Sequence, residues 1–330
     1  MIAKKCVLTV LVFVLTVGSW TANSNAAEKI DLKLRLKQGQ KYGMQTIIDQ
    51  KISQTIQEQE QNIRQMIATG MDFEVLAVDD NGVASVKTTY QTIHVKISGP
   101  MGVIEYDSTK PDAPADANNP VAQMMGQMYA SMVGRSLVMK VNPRGKVVEV
   151  KGFKEMMQRM VEKMCGDDDA EKRKMKEFMK NFLSEDRVKI MGSNMMMAFP
   201  ARPVGIGDSW ADKESMSIGF PIEIANTYTL KERKNGVAIV DVSSKMDFGE
   251  KDAPIDTGPV KINMEMTGRV RGTSQIDEAS GWMIRSKMKM QLSGEIKIIP
   301  NEQMPEGMTV PMTIDSVITV KPIKNSSNDG

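Results

Sequence analysis

Apolar and polar residues alternate with a period of two along much of this chain, the pattern of strands that bury one face and wet the other. Ile30, Leu32, Leu34 and Leu36 alternate with Asp31, Lys33, Arg35 and Lys37, which predicts that the chain enters its fold on a strand. Further strands are expected at residues 42–56, 71–78, 83–97 and 103–106. Asp79-Asp80-Asn81-Gly82 supplies a turn, because Asn-Gly tolerates the positive φ of a tight hairpin. Residues 137–141 and 146–150 read as a second hairpin, turning at Asn142-Pro143-Arg144-Gly145. The clearest alternation runs through residues 260–272 and 282–298. At ~3.3 Å per residue the latter run is roughly 55 Å long, so it must twist and curve. A hairpin centred on Ala279 would set Gly268 opposite Met290 and Gly294 opposite Met264, large facing small in both cases.

Between these regions the period changes to that of helices. Val121, Met124, Met125, Met128 and Met132 share one face behind an Asn119-Pro120 start. Phe153, Met156, Met157, Met160, Val161 and Met164 form a second apolar stripe, opposite Lys154, Glu155, Gln158, Arg159, Glu162 and Lys163. Gly166 can end that helix, and the acids at 167–169 suit the start of another carrying Met175, Phe178, Met179, Phe182 and Leu183. Helices are expected at about 120–133, 152–164, 170–183 and 185–197.

An internal echo links the two β regions. Gly39 stands three residues before Tyr42 as Gly207 stands before Trp210, and N-G-V-A turns recur at residues 81–84 and 235–238. The expected fold class is α+β: mainly antiparallel, with long curved sheet in two related halves and a methionine-rich helical insert packed on it. The expected organisation is a signal peptide at 1–26, an N-terminal β region at 27–106 and a linker at 107–120. A helical insert with one hairpin follows at 121–200, then a C-terminal β region at 201–323 and a disordered tail at 324–330.

Lys4 and Lys5 precede an apolar run ending near Val17, and Ser24-Asn25-Ala26 offers small residues for cleavage, so export is expected. Cys6 stands before that run, not after it, which argues against a lipid anchor. No later segment has the ~20 apolar residues of a membrane helix. Cleavage after Ala26 would leave 41 basic residues against 41 acids, a balance that offers nothing to nucleic acid. It would also leave Cys165 alone, with no intrachain disulfide. At 5% aromatic residues the chain lacks the girdles of a membrane β-barrel.

Candidate chemistry is sparse. His94, the only histidine, alternates with apolar residues on the side shared with Lys96 and reads as solvent-facing. Asp256-Thr257-Gly258 matches the core of an aspartic protease, but that chemistry needs two carboxylates and the chain has no second D-T-G or D-S-G. No catalytic residue or cofactor is therefore assigned. Thioethers and a thiolate suit Cu(I), which makes Met156, Met160, Met164 and Cys165 a candidate metal set, with Met195-Met196-Met197 nearby in sequence. Methionine also fills irregular cores and lines adaptable binding surfaces. Met156, Met157, Met160, Met164, Met175 and Met179 are accordingly the candidate ligand-binding set, against a curved sheet face.

The leader, the G-x-x-Y at residues 39–42, the methionine-rich middle and P-V-x-x-G-D-x-W at 203–210 resemble an uncharacterised family of exported bacterial proteins. A looser similarity of architecture is to the periplasmic lipoprotein carriers, whose curved antiparallel sheet holds acyl chains beneath helices. Together these readings imply an exported, non-enzymatic scaffold that binds an apolar or lipid-like molecule. The alternatives are a structural or protein-interaction component of the cell envelope, and a Cu(I)-handling protein.

Overall fold

The computed structural model describes residues 28–100, 102–110, 119–166, 168–170, 172–173, 185–217, 221–248, 254–256, 261–301 and 304–323. The expected leader, most of the linker, most of the helix at 170–183 and the C-terminal tail lie outside these residues.

The first strands are β1 (Lys41–Ile56), β2 (Gln59–Val78), β3 (Ala84–Gly99), β4 (Gly102–Asp107), β5 (Ser136–Val141) and β6 (Val147–Lys151). The later ones are β7 (Ser209–Ser217), β8 (Pro221–Lys234), β9 (Val237–Phe248), β10 (Ile255–Asp256), β11 (Lys261–Asp277), β12 (Met283–Ile298) and β13 (Met308–Pro322). The helices are α1 (Pro120–Met132), α2 (Phe153–Cys165) and α3 (Glu185–Met195). Among the described residues one antiparallel sheet of thirteen strands runs β6-β5-β3-β2-β1-β13-β12-β11-β9-β8-β7, with β4 beside β3 and β10 beside β11. The β regions before and after the helices are parts of this one sheet, because β1 pairs with β13 from Met44↔Pro322 to Gln54↔Met312. Its two open edges, β6 and β7, come from the middle of the sequence.

The sheet curves until those edges face each other across α3. Ser193 of α3 accepts the Val147 N–H of β6 at 2.9 Å. Lys146, in the β5–β6 turn, reaches Asp212 of β7 at 3.2 Å. Beyond α3 the chain ties both edges: the Phe199 N–H donates to the Arg144 carbonyl, and Trp210 Nε1 donates to the Ala198 carbonyl at 2.7 Å. Gly192 permits the close helix approach, since a Cβ there would sit 2.9 Å from Met139 Sδ.

One end of the curve is plugged. Residues 30–36 are extended and their leucines are buried, yet they do not form the expected strand. Their backbone bonds go instead to turns: Leu34 N–H to the Pro143 carbonyl and Arg35 N–H to the Ser280 carbonyl, with a lone bridge between Ile30 and Val204. Alternation therefore reported burial correctly and pairing incorrectly, because a chain lying across turns shares the period of a strand. Leu32, Leu34 and Leu36 join Phe73, Val75, Val86, Leu230, Val240, Ile276 and Trp282 in the main core. Farther along the same sheet face a smaller cluster holds Ile222, Phe248, Met266 and Leu292.

The β11–β12 register differs from the expected one. Gly268 lies opposite Leu292, Val270 opposite Met290, and Gly294 opposite Met266. The cause is the turn: Gly281 N–H bonds the Asp277 carbonyl, Asp277 N–H bonds the Trp282 carbonyl, and Gly281 adopts φ 72°, which moves the hairpin centre toward Ser280. Each partner moves by two residues, so every side chain keeps its face. Large still meets small at both glycines.

Candidate functional site

On the concave face, beside the main core, lies a cavity of about 340 Å³. Its walls come from distant parts of the chain brought together by the curvature: Met44 of β1, Met71 and Phe73 of β2, Met246 of β9, Met283, Met288 and Met290 of β12, and Ile318 and Val320 of β13. Met195, Met196 and Met197, at the end of α3, roof it. Nine of the lining side chains are methionines, which are flexible and unbranched and can conform to different apolar shapes.

The cavity has a polar corner, built by β7, β8 and β9. Asp212 pairs across strands with Asn226, and Asn226 with Ser244, whose hydroxyl donates to Asn226 Oδ1 at 2.6 Å. Glu214 lies two residues beyond Asp212 on the same strand face and lines the cavity. Burial raises its carboxyl above the ordinary 4.5, and the charge of Asp212 raises it further, against the pull of Lys146. Glu214 Oε2 and Asp212 Oδ2 are both buried without a hydrogen-bond partner. Tyr228 packs against Trp210 with ring centroids 5.6 Å apart, and burial, Asp212 and Glu214 together push its hydroxyl well up.

A larger trough of about 1120 Å³ runs along the same strands, lined by Lys213, Lys245, Asp247, Arg269, Arg271 and Asp315 among others. Glu214, Ile224, Ser244 and Met246 border both this trough and the cavity.

Of the six sequence-predicted ligand-set residues, Met156 and Met157 have described side chains. Met156 borders a separate hollow of about 250 Å³ beside Ser131, Arg135 and Arg159, and Met157 is half-buried on α2. The side chains of Met160 and Met164, and all of Met175 and Met179, lie outside the described residues. Cys165 is half-buried at the end of α2. α1 and α2 pack on each other, with Ala122 and Val161 buried, and Tyr106 of β4 stacks on Tyr129 of α1. His94 pairs with Glu105 at 2.9 Å beside Lys96, on the wet face. Asp256 sits on the short β10, and Thr257 and Gly258 are outside the described residues. Among the described residues no three His, Cys, Asp or Glu side chains converge on a metal position. No described helix is long and apolar enough to cross a membrane.

Sequence reasoning missed Asp212 and Glu214. The available signal was the face shared by Trp210, Asp212, Glu214 and Met216, where two acids share the parity of a tryptophan and a methionine.

A model of a family of unknown function, DUF6263, matches residues 81–283, more than half of the sequence. The chain belongs to this family. The matched span contains α1–α3, both sheet edges and the polar corner of the cavity. No curated protein matches the sequence. Among solved structures, lipovitellin, described for its lipid–protein interactions, is 8% identical over 89% of this chain with a TM-score of 0.47. That match spans only 26% of the lipovitellin chain. DynF, from the dynemicin biosynthesis pathway of Micromonospora chersina, is 6% identical with a TM-score of 0.21, covering 92% of this chain and 88% of its own. A DUF1329 family protein from Desulfovibrio piger is 8% identical with a TM-score of 0.12, covering 87% of each chain. All three scores are too low to establish a shared fold.

Proposed function

We propose that this protein is an exported, non-enzymatic scaffold whose concave sheet face takes up an apolar or lipid-like molecule in the methionine-lined cavity. The supporting observation is the cavity itself: nine methionines from four strands and the end of α3 surround one largely apolar space. Its volume of about 340 Å³ falls at the lower end of the ~300–1,000 Å³ typical of small-molecule sites. Methionine walls suit a ligand of variable shape better than a single rigid one. In this reading residues 1–26 direct export and are removed, and Met156 and Met157 stand on α2, apart from the residues that line the cavity.

The test is native mass spectrometry of protein purified from its own source, with lipid extraction, followed by displacement of a fluorescent apolar probe by n-alkyl compounds of increasing length. Each added methylene is expected to tighten binding about fourfold until the cavity is filled, from the ~0.8 kcal/mol of a buried CH₂. Failure of every apolar compound to co-purify or to bind would overturn the proposal and leave an envelope structural role as the better reading. Cu(I) bound tighter than micromolar under reducing conditions, and lost on Met160→Leu or Cys165→Ser, would favour metal handling instead.

A further inference from the structure

We infer that the cavity selects amphiphiles with a cationic head group, and that Glu214 is the residue that receives the head. This rests on the cavity reading above and names its ligand class.

A purely apolar ligand would leave the polar corner unexplained. Buried carboxylate oxygens are normally hydrogen-bonded, and one without a partner in a low-dielectric site is costly. Two such oxygens are found here: Glu214 Oε2, on a residue that lines the cavity, and Asp212 Oδ2, on its same-face neighbour, which lines the adjoining hollow with Lys146 and whose charge reaches Glu214. The groups facing them are few. Lys146 comes from the β5–β6 turn and bonds Asp212 Oδ1 at 3.2 Å, and Tyr228 comes from β8. Lys213 of β7 and Lys245 of β9 alternate with Glu214 and Ser244 and, paired through Ala225, take the other face of the sheet. The corner therefore holds two carboxyl groups and one ammonium, and is one positive charge short.

The rest of the corner cannot supply that charge. Ser244 is engaged with Asn226, and Tyr228 is neutral. The charge must be brought in or the carboxyl must stay protonated, and burial and Asp212 together favour protonation in the empty cavity. An ammonium head entering with an alkyl tail would satisfy both sides: the tail lies along the methionines, and the head donates to Glu214 while its charge holds that carboxyl ionised. Binding would then release the Glu214 proton to solvent. A carboxylate head would add a third negative charge to the same corner and be excluded.

The experiment compares dodecylammonium, dodecanol and dodecanoate, each below its micellar concentration, displacing an apolar fluorescent probe from the full chain. At pH 7 the amine is expected to bind about tenfold tighter than the alcohol, and the carboxylate weakest, as charge-assisted bonds outrank neutral ones. Glu214→Gln is expected to bring the amine-to-alcohol ratio close to one. A second readout needs no substitution: lowering the pH keeps the amine charged while Glu214 holds its proton more firmly, so the ratio should shrink. If none of the three compounds binds, the cavity reading falls and this inference with it. If all three bind equally, or the amine preference survives Glu214→Gln or is independent of pH, the cavity reading stands and this inference is overturned.

Discussion

Trp282 offers the most direct test of how the curved sheet is held closed. It follows the β11–β12 turn, is 5% exposed, and stacks on Tyr42 with centroids 4.1 Å apart while meeting Phe73 edge-on at 5.2 Å. It thus ties the far side of the sheet to β1 and β2 beneath the plugging segment. Removing a buried tryptophan side chain costs ~3–5 kcal/mol through lost transfer energy and the cavity left behind. The two aromatic contacts account for about 1–3 kcal/mol of this at ~0.5–1.5 each. Trp282→Phe keeps a ring in the stack and should lose under half as much as Trp282→Ala. With a urea slope of ~3 kcal/mol per molar, Trp282→Ala should lower the midpoint by about 1–1.7 M. Urea titration followed by far-ultraviolet circular dichroism measures both, with the half-exposed Val148→Ala as a control expected within ~0.5 kcal/mol of the parent. A midpoint for Trp282→Ala that matches the control, or a Phe variant as weak as the Ala variant, would refute the aromatic tie.

Other expectations follow from the same geometry. Cysteines at Thr267 and Ser293, which are cross-strand partners, should form a disulfide on oxidation, whereas a pair at Thr267 and Gln291 should not; the reverse would place the hairpin centre at Ala279. Arg233 bonds both oxygens of Glu278 at 2.9 and 3.0 Å and also the Glu28 carbonyl, so Arg233→Ala should cost ~1–3 kcal/mol in chemical denaturation. The double change Arg233→Met with Glu278→Leu should recover most of that loss, and no recovery would mean that the pair itself is not what stabilises this corner. Because the folded Glu214 carboxyl titrates above its ordinary 4.5, the native state holds its proton longer than the unfolded chain, and this group lowers stability as pH rises through that window. Glu214→Gln should therefore melt higher than the parent at pH 7, with the difference closing below about pH 4.5; a variant that melts lower at pH 7 would show that the carboxylate is paired after all.

Much of the sheet was legible because its strands bury one side only. The long β11 and β12 runs, the β5–β6 hairpin and the turn at Asp79–Gly82 all carry local signals that agree with their structure. The first half of β2 did not announce itself, since residues 59–70 are rich in Gln, Asn and Arg. They pair with β1 throughout and from Arg64 onward with β3 as well, and Gln50 and Gln65 meet across the sheet at 2.6 Å. The turn before them is made by Gln57 and Glu58 at positive φ, residues that give no turn signal in sequence. Segment 30–36 shows the converse, a strand pattern without a ladder.

The location of the cavity was harder to read for a reason that lies in topology. Methionines on α2 cluster in sequence because a helix returns to the same face every three or four residues, so they draw attention as a set. The methionines that line the cavity are scattered from Met44 to Met290, and only the pairing of β1 with β13 and the curvature of the sheet place them on one wall. A list of local motifs finds the first set and passes over the second. Parity along each strand finds the second once the sheet order is known, because Met288 and Met290 share a face with Ile318 and Ser316, and those with Ile48 and Gln50. The same parity exposes Asp212 and Glu214 as acids on an apolar face. A cavity inside a curved sheet is therefore written across strands, and its most telling residues are those that break the inward pattern one at a time.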